Sequence, residues 1–205
     1  MNKLYRQTQY LRSVYSAEHL PAEQGIEIAF AGRSNAGKSS AINTITDHNR
    51  LAHVSRTPGR TQMINYFQIT DDKYLVDLPG YGFAKVPKAV REHWNLFLDQ
   101  YFQTRQSLKG LILVMDIRRK LEEQDWQMVE WAVNSEIPLH ILLSKADKLK
   151  RSEASHLLFK TQKLLEENGV AASLQLFSAK SRLGLEDVHS LLDEWFGINQ
   201  HIKTL

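Results

Sequence analysis

The sequence has no cysteine, which excludes disulfides and any thiolate zinc site and suits a reducing compartment. Long apolar runs are also missing. The longest, 111–115, is far short of the roughly 20 residues that a bilayer-spanning helix needs. Residues 1–8 are polar and carry no apolar signal-peptide core. A cytoplasmic protein with no membrane partner is therefore expected. Only 5 prolines and 10 glycines occur, and none gather into a linker, repeat or low-complexity stretch, so a second domain is not expected. Neither charge sign dominates. The net charge of +3 is too small to point to a polyanionic partner by itself.

What is present fits one soluble domain. A chain of 205 residues, 42% hydrophobic and 24% charged, can bury a full core and stay in solution. Basic residues cluster locally: Arg56 with Arg60; Arg118, Arg119 and Lys120; and Lys145, Lys148, Lys150 and Arg151. Such clusters permit an RNA-phosphate partner. Short runs rich in Val, Ile and Phe predict strands at 26–31, 63–69, 74–77, 111–116, 139–144 and 173–177. Helical periodicity starts after Gly37 and near Lys88, Leu121, Ser152 and Gly184. One helix carries an apolar stripe of Val90, Trp94, Phe97, Leu98, Tyr101 and Phe102, and the last carries Leu185, Val188, Leu191, Leu192 and Trp195. The alternation predicts a three-layer α/β fold, a six-stranded mostly parallel sheet with helices on both faces and ligand loops beyond the strand carboxyl ends. Residues 1–24 read as an N-terminal extension, 25–198 as the domain and 199–205 as a tail.

Chemistry is concentrated in short motifs at those strand ends. Gly32-Arg33-Ser34-Asn35-Ala36-Gly37-Lys38-Ser39 is a complete G-x-x-x-x-G-K-[ST]. Its glycines let backbone N–H groups curl around phosphates at the start of a helix. Chance would produce such a match in roughly one chain of this length in a hundred. Lys38 is expected at the β- and γ-phosphates and the Ser39 hydroxyl on Mg2+. Ser144-Lys145-Ala146-Asp147 selects the base: the Asp147 carboxylate can accept from guanine N1–H and its 2-amino group, which adenine lacks. Lys145 is expected across the base. Asp77-Leu78-Pro79-Gly80 places Asp77 to hold Mg2+ through water and the Gly80 N–H to bond the γ-phosphate. In the loop Thr57-Pro58-Gly59-Arg60-Thr61-Gln62, Thr61 is expected to give Mg2+ a second hydroxyl. Ser178-Ala179-Lys180, after Phe177, is expected to turn its N–H groups toward guanine O6.

Five such elements in this order resemble the G1 to G5 set of the translation-factor-type GTPases. The chain closely resembles the EngB/YihA/YsxC family of bacterial ribosome-biogenesis GTP-binding proteins, within the TrmE-Era-EngA-EngB-septin-like group. The residues that carry the resemblance are GRSNAGKSS at 32–40, TPGRTQ at 57–62, DLPGYGFAKV at 77–86, SKADKL at 144–149 and SAK at 178–180. It runs through nearly the whole chain. The resemblance implies a P-loop NTPase of the Ras-like G-domain type that binds GTP and GDP with Mg2+. It further implies a switch in assembly of the large ribosomal subunit, with precursor rRNA and ribosomal proteins as partners and septation as the process that fails without it. Nucleotide contacts are implied for 32–39, for Gly59, Arg60, Thr61 and Gln62, for 77–80, for 144–147, and for Phe177, Ser178 and Ala179. A monomer is expected.

Two departures from the general GTPase pattern carry their own expectations. Ser144 stands where asparagine is usual, so the tie between this loop and the phosphate loop is expected to be looser. Tyr81 follows Gly80 where Ras-like enzymes place a water-orienting glutamine, so slow hydrolysis is expected. Catalysis then rests on Lys38, Thr61, Gly80 and Asn35, the last as a ligand for K+ beside the phosphates, as in related GTPases with asparagine at this position. Switch loops are expected around 47–62 and 78–90. Two functional readings remain open: a GTP form that docks on a pre-ribosomal particle, or a cell-division protein that uses GTP to control protein partners.

Overall fold

A computed structural model of the chain describes residues 3–52, 63–82 and 88–198. Seven strands form one sheet: β1 (Gln9–Val14), β2 (Ile26–Ala31), β3 (Ile64–Thr70), β4 (Lys73–Asp77), β5 (Leu108–Asp116), β6 (Leu139–Ser144) and β7 (Ala172–Leu176). Their order across the sheet is β1-β3-β4-β2-β5-β6-β7. β2 pairs in parallel with both β4 and β5, and the parallel run continues through β6 to β7. β3 is antiparallel to both of its neighbours. The helices are α1 (Lys3–Arg6), α2 (Lys38–Ile45), α3 (Lys88–Thr104), α4 (Glu123–Asn134), α5 (Arg151–Glu167) and α6 (Leu185–Trp195).

Side chains alternate across the central strands, and both faces are buried. Ile28 and Phe30 join Ile112, Val114 and Leu142 in the layer covered by α2 and α6, where Ile42, Ile45, Val188 and Leu192 pack. Ala29, Ala31, Leu111, Leu113 and Leu143 face the other layer, under α3, α4 and α5. The stripe predicted on α3 is buried from Trp94 to Phe102, with Val90 packed against it. Phe102 stacks on Trp131 of α4 with ring centroids 5.7 Å apart. On α6, Trp195 lies on Gly110 of β5, where any Cβ would collide with the indole.

The sequence pattern predicts six strands; the seventh, β1, comes from the polar lead-in. Residues 9–12 are exposed, the register shifts between Tyr10 and Arg12, and only Val14 is buried. An edge strand of this kind is defined by its hydrogen bonds to β3, so it lacks the apolar alternation by which strands are recognised. The lead-in is anchored on the opposite side as well. Tyr5 is fully buried, donates to Asp193 Oδ1 at 2.7 Å and stacks on His189 at 4.7 Å between ring centroids. β5 starts at Leu108 rather than 111 because Leu108 pairs with Glu27, while Lys109 and Gly110 interrupt the apolar run.

The amino end of the sheet is closed by a buried ion pair. Glu27, 1% exposed, accepts from Arg105 Nη2 at 2.5 Å and Nε at 3.0 Å, from Tyr101 at 2.9 Å, from Tyr66 at 3.2 Å and from Ser107 Oγ at 3.0 Å. A buried carboxylate is tolerated only with partners on this scale. Arg105→Ala should therefore lower unfolding free energy by about 3–5 kcal/mol in urea denaturation, whereas a loss below about 1 kcal/mol would contradict this account.

Candidate functional site

Residues 32–37 form a loop from the carboxyl end of β2 into α2. A Cβ on Gly32 would lie 2.5 Å from the carbonyl oxygen of Val114, so the loop can pass β5 only with glycine there. Asn35 (φ 67°) and Gly37 (φ 101°) both adopt left-handed backbone, which glycine tolerates and asparagine accepts more readily than most residues. No side chain caps the start of α2, so its first-turn N–H groups keep their bonding capacity for an anion. Two amides of the loop are committed elsewhere: Ser34 N–H donates to the Tyr81 carbonyl at 2.8 Å and Ala36 N–H to the Arg33 carbonyl at 2.9 Å.

Beside this loop, the ammonium of Lys38 forms an ion pair with Asp77 at the end of β4, and both side chains are more than nine-tenths buried. Leu78 is a core residue, and its N–H donates to the Phe30 carbonyl at 2.9 Å, holding the start of the 78–80 segment against β2. Gly80 approaches the loop closely: a Cβ there would stand 3.2 Å from Ser34 Oγ. Pro79 is half-buried and Ser39 half-exposed. Ser39 and Asp77 present one hydroxyl and one carboxylate. Among the described residues no group of three His, Asp or Glu could hold a metal alone. This donor set suits a hard cation that completes its shell with phosphate oxygens and water.

The third strand end is tied to the loop by side chains. Ser144 Oγ donates to the Ala36 carbonyl at 2.5 Å, so the looser tie expected for serine is not found. The shorter side chain reaches because β6 ends directly behind the loop. Lys145, with left-handed backbone, donates to the Asn35 carbonyl at 2.6 Å and to Asp116 Oδ2 at 2.9 Å. Ala146 N–H donates to the Phe177 carbonyl at 3.1 Å. Ser178, fully buried, donates from Oγ to Asp147 Oδ1 at 2.7 Å. That bond is the main reason the Asp147 carboxyl is held below the usual carboxylate range. Phe177 belongs to the core and offers this site only its backbone, while Ala179 is half-buried.

Asp116 is the residue that motif reading missed. It ends β5, is 4% exposed, and accepts from Arg118 Nε at 2.9 Å and Nη2 at 2.7 Å as well as from Lys145. Burial alone would raise its pKa, but the bonds from Arg118 and Lys145 outweigh burial and hold it far below the normal range. The available signal was positional: Asp116 closes an apolar strand just as Asp77 does. Arg33 pairs its guanidinium with Glu122 at the start of α4, so its part in the loop falls to its backbone. Tyr81 donates to Asp125 Oδ1 of the same helix at 2.8 Å, and burial pushes its hydroxyl pKa well up. A tyrosine held in this way is a fastening between segment 78–82 and α4. Gly59, Arg60, Thr61 and Gln62 lie outside the described residues. Asn35 is exposed, with its carbonyl engaged by Lys145.

The Asp116–Lys145–Asn35 relay has a direct consequence. Asp116→Asn and Lys145→Met should each speed amide hydrogen exchange across 33–37 at least about tenfold, the worth of one charge-assisted bond. The double variant should be no faster than the faster single, because both remove the same relay. Additive effects in exchange mass spectrometry would contradict it.

Comparison with known proteins agrees with this geometry. Residues 27–145 match the family model described as 50S ribosome-binding GTPase. The chain is 52% identical over 198 residues to the probable GTP-binding protein EngB of Nitrosococcus oceani, covering 97% of this chain and 99% of that protein. Its fold is shared with the crystal structure of a probable GTP-binding protein engB, at a TM-score of 0.67 and 23% identity over 84% of this chain and all of the other. It is shared also with Era crystallised with MgGDPNP and nucleotides 1506–1542 of 16S ribosomal RNA, at a TM-score of 0.63 and 17% identity over 83% of this chain and 56% of that one. An identity of one residue in two along nearly the full length of both chains leaves one assignment for the loops that meet at the end of this sheet: the chain belongs to the EngB family of GTP-binding proteins and is a GTPase.

Proposed function

We propose that this GTPase is a cytoplasmic Mg2+-dependent switch whose GTP form docks on precursors of the large ribosomal subunit and supports cell division through that role. The observation that carries the nucleotide part is the meeting of Lys38 and Asp77 with Asp147 and Ser178 on either side of loop 32–37. The family description, 50S ribosome-binding GTPase, supports the ribosomal part. First-turn N–H groups of α2 and Lys38 would hold the phosphates, Lys38 exchanging its carboxylate partner for phosphate oxygens. Ser39 and Asp77, joined by Thr61, would hold Mg2+, which supplies charge neutralisation at the reacting phosphates. Gly80 N–H would bond the γ-phosphate. Asp147, oriented by Ser178, would accept from guanine while Lys145 lies across it.

Hydrolysis should be slow without a partner. The hydroxyl of Tyr81 is bonded to Asp125, so this side chain is not free to orient water. Asn35 is the residue through which K+ would act. Turnover at equal ionic strength should then be higher in KCl than in NaCl, and equal rates would remove K+ and Asn35 from the mechanism. Asp147→Asn should shift preference from guanine to xanthine nucleotides, since the amide donates where the carboxylate accepted. Unchanged GTP preference in a displacement assay would refute the role of Asp147. For the ribosomal role, the protein should cosediment with large subunits in its GTP form and be released in its GDP form. Equal recovery in both forms, or none, would overturn the switch.

A further inference from the structure

Two basic clusters that are some 30 positions apart in sequence become one surface in the fold. Parallel pairing sets Asp116 of β5 beside Ser144 of β6, so the loops that follow these residues leave the sheet side by side. Lys145 crosses between them to Asp116, and Arg118 closes on the same carboxylate. Outside this staple stand Arg119, Lys120, Lys148, Lys150 and Arg151, all exposed. Arg119 and Lys120 also line, with Arg33, a cavity of about 190 Å³ between the phosphate loop and α4, which places them at the rim of the site. Most acidic groups nearby are engaged. Asp116 is buried, Glu122 pairs with Arg33, and Asp147 accepts from Ser178 and lies 3.6 Å from Lys148. Glu123 and Glu153 lie in the first turns of α4 and α5.

We infer that this ridge is an RNA-docking surface that contacts the phosphate backbone of structured RNA. A row of separate ammonium and guanidinium groups matches a repeating polyanion. A protein partner is disfavoured because none of the exposed large hydrophobic residues, from Tyr10 to Leu183, falls on either loop, and protein interfaces are anchored by such residues. The proposal rests on the ribosomal reading above and adds the face that meets RNA. None of these basic residues belongs to the segments 47–62 and 78–90 expected to switch, so the ridge contributes equally in the GTP and GDP forms.

The test uses the full chain and its variant R119E/K120E/K150E/R151E, with anisotropy of a labelled RNA duplex and sedimentation with large subunits between about 50 and 200 mM salt. The variant should lose at least about tenfold in duplex affinity, with a salt dependence shallower by roughly 0.7–0.9 for each phosphate contact removed. The loss should be the same factor with GDP and with a GTP analogue, each held at a concentration that saturates both proteins. Equal duplex affinity and salt slope in variant and wild type would overturn the ridge and leave the ribosomal reading intact. Duplex binding that depends on the ridge, without subunit binding, would uphold the ridge and end the ribosomal reading. Subunit binding that depends on the ridge, without duplex binding, would assign it to an acidic protein surface and overturn the RNA proposal.

Discussion

Parallel pairing of β2 with β4 on one side and β5 on the other is the constraint from which the rest follows. Parallel strands place their carboxyl ends along one edge, and β6 extends that edge by one strand. Loops after all four strands must therefore converge, whatever their sequences. Gly32 makes the convergence tight, since no larger residue could pass Val114. Ser144 and Lys145 then bond the loop from behind, at Ala36 and Asn35. At the opposite edge the buried acid Glu27 is surrounded by donors that make it a closed structural site.

Within the convergent edge, side chains divide into those that present chemistry and those that hold the frame. Lys38, Ser39, Asp77 and Asp147 present ammonium, hydroxyl and carboxylate groups around one loop. Arg33 and Tyr81 instead fasten that loop and the segment after β4 to α4, through Glu122 and Asp125. Glu122 and Asp125 are themselves joined as a capping box, so the fastening leads to a rigid helix end. A change at Gly80 would reach α4 through Tyr81, its next neighbour in the chain. Segment 78–82 therefore has a short covalent and hydrogen-bonded route to the start of α4.

Much of this was legible in the sequence because the signals are local. A strand buried on both faces reads as a short apolar run, and the glycine-lysine loop is its own punctuation, so β2, β6 and α2 fall where the pattern puts them. The stripe on α3 was readable for the same reason. β1 was not, since an edge strand with a register shift and one buried residue leaves no alternation to find. Asp116 escaped because its role depends on where Lys145 ends up, 29 positions later. The partners of Arg33 and Tyr81 were not legible from motif position, because Glu122 and Asp125 lie far along the chain at the start of α4. The basic ridge needed the β5–β6 pairing, which no single stretch of sequence contains.

The central claim is a phosphate loop committed to guanine by Asp147 and Ser178. Its most direct test is competition of unlabelled GTP, GDP and ATP against fluorescent GDP on the purified chain with Mg2+. The account predicts that GTP and GDP displace the label while ATP fails to do so even in large excess. Displacement by ATP at the same concentrations as GTP would contradict it.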